Sequence, residues 1–170
     1  MAQNGRGDIA KLLLDHGADA NAKKSYGESV LHTAVYESHS KCVKCLVEAG
    51  AGVNYRMTNG RSALHIAVEV GDMDTIQTLL KNGSDVNVTD SESQTPLHRA
   101  VLFNRLKVID LLLACSPISI PDIRGATPLQ YWFNMNHSDA IELEYARKLH
   151  KVPLVPGYNK EVNTHSCPHY

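Results

Sequence analysis

The stretch Gln94-Thr95-Pro96-Leu97-His98-Arg99-Ala100, with the run that follows it to Leu113, decides the fold of this chain. Proline is tolerated at the start of a helix because its missing N–H would have no partner there. Thr95, just before it, suits the N-cap position, since its hydroxyl can accept a hydrogen bond from a free backbone N–H. The apolar residues that follow are spaced for two short helices with a break near Asn104. Helices of this length are not stable alone in water, so the pair needs neighbours.

Similar stretches recur along the chain at a nearly constant interval. They are Ser29-Val30-Leu31-His32, Ser62-Ala63-Leu64-His65, Thr95-Pro96-Leu97-His98 and Thr127-Pro128-Leu129-Gln130, whose starts lie 33, 33 and 32 residues apart. A second marker keeps the same interval, and its copies are Gly17-Ala18-Asp19-Ala20-Asn21, Gly50-Ala51-Gly52-Val53-Asn54 and Gly83-Ser84-Asp85-Val86-Asn87. Two independent markers in one register are typical of a repeat protein.

With this period and the Thr-Pro-Leu-His signature, the chain resembles the ankyrin repeat family over residues 2–149. The resemblance implies an all-α fold, an ankyrin-repeat α-solenoid of helix–turn–helix units joined by β-hairpin or loop connections. It says little about function, because the family is defined by its scaffold.

The two markers also divide the chain into units. We expect a partial repeat with only its second helix at 1–22, complete repeats at 23–54, 55–87 and 88–119, a degenerate C-terminal capping repeat at 120–150, and a disordered tail at 151–170. In the partial repeat, Ile9, Leu13 and Leu14 would lack one of their usual packing partners. We therefore expect that the chain is a fragment or isoform of a longer protein, or that another surface covers this edge.

Charge and composition narrow the function classes. The 170 residues contain 17 Lys and Arg against 18 Asp and Glu, a formal net charge of −1, which argues against a nucleic-acid-binding protein. No run approaches the length of a membrane-spanning helix, and the first residues lack the apolar core of a signal peptide. Four cysteines fit a reducing compartment. We predict an intracellular protein without membrane association, in the cytoplasm or alternatively in the nucleus.

Several residue patterns could suggest catalysis or metal binding. His32, His65 and His98 are separated by the repeat period rather than by a ligand spacing, and no carboxylate or cysteine supports them as a metal site. The resemblance implies that these imidazoles instead bond the backbone of neighbouring turns. Cys42 and Cys45 lack the second pair that a metal or redox site of this kind needs. We find no phosphate-binding glycine loop or nucleophile motif, and predict no enzymatic activity, no cofactor, no metal and no small-molecule substrate.

The family resemblance also implies a concave face lined by hairpin tips and first helices. Carried over residue by residue, the positions that we predict to contact a partner are Tyr26, Tyr36, Arg61, Glu69, Val70, Glu92, Leu102, Phe103, Arg124 and Met135. Aromatic and methionine side chains among charges have the composition of an interface core. Single exposed apolar residues are common without any function, but the alignment of these on one face favours an interface.

These observations predict a non-enzymatic protein–protein interaction module that binds a partner protein on the concave face through a preformed surface. The resemblance implies two roles for such a module, recruitment of substrates as an adaptor and inhibition by masking a partner. The alternative is a structural or self-associating fragment of a longer ankyrin-repeat protein, whose N-terminal edge docks on further repeats or on another copy.

Overall fold

The computed structural model describes residues 2–115, 119–135 and 140–151. The helices in these ranges are α1 (Ala2–Asp15), α2 (Val30–Tyr36), α3 (Ser40–Glu48), α4 (Ala63–Val70), α5 (Met73–Lys81), α6 (Pro96–Leu102), α7 (Leu106–Cys115), α8 (Pro128–Asn134) and α9 (Ala140–His150). We number the units 1 to 5: α1 alone, then the pairs α2/α3, α4/α5, α6/α7 and α8/α9. We call the first member of each pair the first helix and the other the second helix, and α1 counts as a second helix. The first helices form one layer, in which α2 packs on α4, α4 on α6 and α6 on α8. The second helices form another layer, in which α1 packs on α3 and α3 on α5.

Each first helix begins with the same polar arrangement at its N-terminus. The N-caps are Ser29, Ser62, Thr95 and Thr127. The side chain three residues later accepts a hydrogen bond from the N-cap N–H, at 3.1 Å from Thr95 N to His98 Nδ1 and 2.7 Å from Thr127 N to Gln130 Oε1. This reciprocal bonding satisfies backbone groups that no helix can satisfy internally. The helix starts predicted from the repeated stretches are therefore confirmed.

The turn after each first helix repeats with the same period. Ser38, Gly71 and Asn104 all have positive φ, at 58°, 83° and 50°, and the last of these confirms the predicted break. A side chain at Gly71 would also meet the guanidinium of Arg105, whose Nε lies 2.9 Å from the position of an added Cβ. Arg105 Nη2 donates to the carbonyl of Glu69 at 2.7 Å and so satisfies the C-terminal end of α4.

The connections before the first helices form hairpin tips that bond to each other in series. Backbone N–H groups of Thr58, Ser91 and Ile123 each donate at 2.9 Å to a carbonyl of the preceding tip, those of Tyr26, Asn59 and Glu92 respectively. Where β-hairpins were expected, single antiparallel bridges join Lys23 to Ser29 and Arg56 to Ser62. In the described ranges no regular strand forms, so the fold is all-α as predicted.

A continuous apolar core runs between the two helix layers. Its fully buried members recur at corresponding positions of successive units, and they include Leu31, Leu64, Val35, Val68, Val101, Val43, Ile76, Ile109 and Leu79. Because each unit buries its apolar side only against its neighbours, stability depends on the interfaces between units. No described helix has both the length and the apolar character needed to cross a membrane.

Apolar side chains of α1 are more exposed to solvent than the corresponding side chains of the other second helices. Ile9, Leu12 and Leu13 are 58%, 58% and 57% exposed, whereas the residue that corresponds to Leu13 in α3, α5 and α7 is a buried leucine. The expectation of poor cover is confirmed for Ile9 and Leu13. It is wrong for Leu14, which packs against the core because it lies on the side of α1 that faces α3.

The fifth unit closes the other end with bulky rings. Trp132 is buried and its ring centroid lies 5.8 Å from that of Tyr145 on α9. Tyr145 Oη donates to Asp110 on α7 at 2.6 Å, and Lys148 Nζ donates to the same carboxylate at 2.8 Å. The unit boundaries remain a prediction, and the predicted tail lies outside the described residues from position 152 onward.

Deletion of one core side chain tests the layer arrangement. Leu112→Ala should lower the free energy of unfolding by about 2–5 kcal/mol, because a buried leucine of α7 leaves a cavity between the layers. Leu12→Ala, at a site 58% exposed, is the matched control and should change it by about 0.5 kcal/mol or less. Urea denaturation followed by circular dichroism measures both. Equal losses in the two variants would contradict the assigned helix faces.

Candidate functional site

The expected concave face corresponds to one side of the stack, which we call the tip-and-helix face: the four tips and the helices α2, α4, α6 and α8. The predicted contact residues that lie exposed on it are Tyr26 (77%), Tyr36 (69%), Phe103 (44%), Leu102 (38%), Glu92 and Arg124. Tyr26 stands at the first tip with a positive φ of 63°, a conformation that is uncommon for a bulky side chain. Ile123, at the fourth tip, adds further exposed apolar surface.

The other four predicted contact residues are placed differently. Arg61 and Glu69 form an ion pair with each other, and their side chains are only 24% and 17% exposed. Val70 and Met135 are half-buried and pack against the core. We expected both side chains to expose apolar surface to a partner. This is only partly right, because each lies at the end of a first helix and part of it contacts the core.

At the junction between units 3 and 4, a polar network links the two units. Arg99 on α6 contacts Glu69 on α4 at 3.4 Å and Asp90 at 2.8 Å. The other oxygen of Asp90 accepts hydrogen bonds from the N–H groups of Glu92 and Gln94, both at 2.9 Å. Burial raises the pKa of Asp90, but the bonds from Arg99 and from the backbone outweigh it, so its pKa lies below the usual range. The charged carboxylate thus braces the third tip.

The braced tip presents its carbonyl to a buried histidine of the preceding unit. The Ser62 N–H donates to His65 Nδ1 at 3.2 Å, which places the ring proton on Nε2. His65 Nε2 then donates to the carbonyl of Gln94 at 3.0 Å. Burial lowers the pKa of His65 to about 4, so the ring is neutral at pH 7. The bond between units that the family resemblance implied is confirmed here.

The junction between units 4 and 5 repeats this design with a tyrosine in place of an arginine. Tyr131 Oη donates to Asp122 at 2.8 Å and accepts from Gln94 Nε2 at 2.8 Å. Burial and the bond to Asp122 raise the pKa of Tyr131 to about 12. Asp122 accepts from the N–H of Ala126 at 2.7 Å, and His98 Nε2 donates to the Ala126 carbonyl at 3.1 Å.

The junction between units 2 and 3 departs from this design. Met57 occupies the position of Asp90 and Asp122, and Ile66 occupies the position of Arg99 and Tyr131. With no carboxylate to brace the tip, the Arg61 N–H bonds instead to the side chain of Asn59 at 3.2 Å. A cleft of about 200 Å³ remains, lined by Glu28, His32, Tyr36, Met57, Arg61 and Ile66.

His32 is the buried histidine of this junction, and its Nε2 has no hydrogen-bond partner among the described residues. Its Nδ1 accepts from the Ser29 N–H at 3.2 Å, as in the other units. Burial lowers the pKa of His32, and the nearby carbonyls of Arg61 and Tyr55 only partly oppose this. The ring is therefore held at Nδ1 like its two counterparts, and the backbone of Arg61 and Tyr55 in the next unit lies near it without a hydrogen bond as close as those of His65 and His98.

These junction residues were not among the predicted contact residues, although the sequence carries a signal for them. The corresponding positions 57, 90 and 122 read Met, Asp and Asp, and positions 66, 99 and 131 read Ile, Arg and Tyr. Aligning the units would have marked the first junction as different. The alignment could not have shown that the side chains of Arg61 and Glu69 form an ion pair, because that pairing depends on how side chains pack between first helices.

The chemistry that this face offers is recognition through apolar, aromatic and charged side chains. Within the described ranges, no group of three or more His, Cys, Asp or Glu residues could hold a metal ion. The exposed aromatic and aliphatic groups stand among the charged side chains of Glu92, Arg124 and Lys24. This mixture is that of a protein interface core and its polar rim.

The stack of paired helices with bonded tips defines an ankyrin-type solenoid. The family model described as ankyrin repeats (3 copies) matches residues 1–90 and 70–147. The chain therefore belongs to the ankyrin repeat family, whose members are generally protein–protein interaction modules and typically non-enzymatic. A comparison with curated proteins found no match to this chain.

The buried histidines predict that the stack is sensitive to acid. An unfolded histidine has a pKa of about 6.5, and His65 in the fold has a pKa of about 4, so the unfolded chain binds more protons between these values. Stability is thus present above pH 6.5 and is lost as the pH falls. For His65 alone, about 2 kcal/mol should be lost between pH 7 and pH 5.

His65→Gln separates this contribution from other titrating groups. Gln130 occupies the same position in unit 5, where it keeps the N-cap bond without titrating. Charges near His65, namely Asp90, Arg99 and Arg61, are unchanged in the variant. Urea midpoints from pH 5 to 7.5 should decline less steeply for the variant than for wild type. Parallel curves would show that His65 does not have the lowered pKa.

Proposed function

We propose that this protein binds a partner protein along the tip-and-helix face, as a non-enzymatic interaction module. The observation that carries the proposal is the set of exposed apolar side chains at the tips and at the ends of the first helices. They are Tyr26, Tyr36, Leu102, Phe103 and Ile123. A standard interface buries about 800 Å² on each partner, and a face of several units is large enough to supply that area.

The packing beneath these side chains supports binding with little loss of conformational freedom. Asp90 and Asp122 brace two tips, and Arg99 ties α4 to α6 through Glu69. A surface that is already ordered gives up less entropy when a partner docks. Arg61 and Glu69 therefore support the face by holding its helices, and the exposed groups supply the contacts.

The same face could serve an adaptor, which recruits a substrate to a second protein, or an inhibitor, which masks a functional surface of its partner. The balanced formal charge of −1 supports a protein partner rather than a nucleic acid. The described cysteines form no disulfide, which fits a reducing compartment such as the cytoplasm or the nucleus.

Phe103 is the most direct test of this proposal. Phe103→Ala should weaken partner capture by about tenfold or more, because it removes an aromatic anchor from the middle of the face. Its folding stability should change little, since the ring is 44% exposed. Affinity capture from cells with quantitative mass spectrometry, together with thermal unfolding, measures both effects.

Phe133→Ala is the matched control. Phe133 is also exposed, but it occupies the repeat position of the buried Val101 of α6, which is not one of the predicted contact positions. Capture should be unchanged in this variant. If Phe103→Ala unfolds the protein, the side chain belongs to the core. If both variants capture the same proteins as wild type, the face is not the binding site.

A second candidate function, self-association, is favoured by the exposed face of α1. Ile9 and Leu13 occupy positions that are buried in α3, α5 and α7, and Leu12 extends the same patch. A second copy of this chain could cover these side chains through its own α1. The three alone offer about 300 Å² of apolar surface, less than the share of a standard interface, which predicts weak association.

Leu13→Glu tests self-association. The measurement is sedimentation velocity at protein concentrations of roughly 10 to 500 μM, the range in which weak dimers form. The weight-average sedimentation coefficient of wild type should rise across this range. The variant should stay monomeric, because a buried unpaired carboxylate opposes the contact. Ile123→Glu, an equal change at an exposed tip position, should behave as wild type. A wild type that is monomeric throughout removes this candidate.

A further inference from the structure

Two exposed cations at the first and second tips are held in place without a carboxylate. Lys23 and Arg56 occupy the same position of successive units, and both are exposed. Among the described residues, their side chains contact carbonyls and an aromatic ring, and neither forms an ion pair with an acidic group. By contrast, Lys24 lies 3.8 Å from Glu28, and Arg61 contacts a carboxylate on α4. The positive charges of Lys23 and Arg56 are therefore not neutralised within the described part of the chain.

Arg56 is fixed by main-chain carbonyls on two sides. Its Nε donates to the carbonyl of Gly60 at 3.1 Å within the same tip, and its Nη2 donates to the carbonyl of Thr89 in the next unit. Among the described residues, Nη1 makes no hydrogen bond, so its N–H groups remain for an acceptor from outside. A guanidinium that is already ordered loses little conformational entropy when a carboxylate binds to it.

Lys23 is held by a ring that only a glycine admits. Its Nζ lies 3.9 Å from the centroid of the Tyr55 ring, a cation–π contact. The ring packs on Gly52, where an added Cβ would lie 2.8 Å from Tyr55 Cε2. The loops after α1 and α5 have Asp19 and Asp85 at the position of Gly52. The glycine thus makes room for the ring beneath Lys23 and also replaces a carboxylate that both equivalent loops contain.

We propose that Lys23 and Arg56 form a docking site for an acidic segment of the partner protein. One carboxylate of that segment bonds to Arg56 Nη1, and a second lies against the ammonium of Lys23. The proposal rests on the proposed function, because it assigns the partner's chemistry at two of the tips that form the tip-and-helix face.

The placement of the charges favours a short acidic segment as the occupant. Tyr55 directly precedes Arg56, so a segment with two or three acidic residues is long enough to reach both cations. A carboxylate forms strong, charge-assisted hydrogen bonds with a guanidinium. A long polyanion such as a nucleic acid would continue to the third tip, where the exposed Glu92 opposes it.

The probe for this site is the hexapeptide acetyl-Glu-Ser-Glu-Ser-Glu-Ser-amide, titrated into the uniformly ¹⁵N-labelled full chain at low ionic strength. We expect saturable NMR shifts of the Arg56 Nε–H and of the Tyr55 backbone N–H, with a dissociation constant of about 1 mM. The uncharged peptide acetyl-Gln-Ser-Gln-Ser-Gln-Ser-amide should cause no saturable shift. Added salt at about 0.3 M should weaken binding of the acidic peptide, because exposed charges are screened.

Two double variants and a control locate the binding. K23Q/R56Q should raise the dissociation constant about tenfold, because both cations are removed. K44Q/K107Q makes the same change of net charge at exposed positions of α3 and α7 and should leave it within about twofold of wild type. G52D/Y55V gives the loop after α3 the residues that the loop after α5 has at these positions. It removes the ring beneath Lys23, adds a carboxylate and should raise the dissociation constant about fivefold.

Several results would overturn the proposal. One is the absence of a saturable shift at Arg56 and Tyr55 in wild type. Another is an equal loss of binding in K44Q/K107Q and K23Q/R56Q, which would indicate a general effect of net charge. A folded G52D/Y55V variant that binds as wild type does would have the same meaning for the site. Inorganic phosphate is titrated in parallel and should bind more weakly than the peptide. Equal or tighter binding of phosphate would show a site for a free anion and not for a protein segment.

The outcome is separable from that of the proposed function. If Phe103→Ala abolishes partner capture but the acidic peptide does not bind, the face is the interface and no acidic segment docks at these tips. If the peptide binds through Lys23 and Arg56 but Phe103→Ala leaves capture unchanged, the acidic site stands and the apolar part of the face is not the interface. Each proposal can thus be overturned by its own measurement.

Discussion

One hydrogen bond links consecutive units at two of the three junctions between first helices: the ring N–H of a buried histidine donates to a carbonyl at the tip of the next unit. His65 makes it to Gln94 and His98 makes it to Ala126. The bond requires a neutral ring with its proton on Nε2, and the N-cap N–H selects that form by donating to Nδ1. It also requires a tip held in place, which Asp90 and Asp122 accomplish. Helix start and tip shape are therefore coupled at these two junctions, while the burial of apolar side chains between units holds the stack as a whole.

The exception at His32 follows from the same logic. Met57 cannot accept the two backbone N–H groups that an aspartate accepts, so the N–H of Arg61 in the second tip bonds to the side chain of Asn59 instead. The units still stack, because apolar side chains of both layers remain buried across this junction. In a protein whose stability is spread over successive interfaces, one junction can be modified without loss of the fold.

The candidate site was predictable in part. The exposure of Tyr36 and Phe103 agrees with the places that the repeat assigned to them, but Glu69 and Val70 occupy the same places one unit away and are half-buried, so place alone did not decide exposure. The roles of Arg61 and Glu69 did not follow, since two charged residues eight positions apart pair only when the helix between them and the neighbouring Arg99 bring them together. Likewise, the packing of Leu14 against the core did not follow from the pattern, because it depends on which side of α1 faces α3.

The sequence by itself determined the period, the helix starts and breaks, the apolar positions of both layers and membership of the ankyrin repeat family. These are local or periodic properties: a capping residue acts within one turn, and a repeated apolar pattern has one packing solution. Only the tertiary structure decided which charged side chains form ion pairs inside the stack, which apolar side chains stay exposed to solvent, and which junctions between units are closed by hydrogen bonds. Those outcomes depend on side chains about one repeat apart in the chain, such as Gln94 with Tyr131 and Arg99 with Glu69, and no local pattern specifies how they meet.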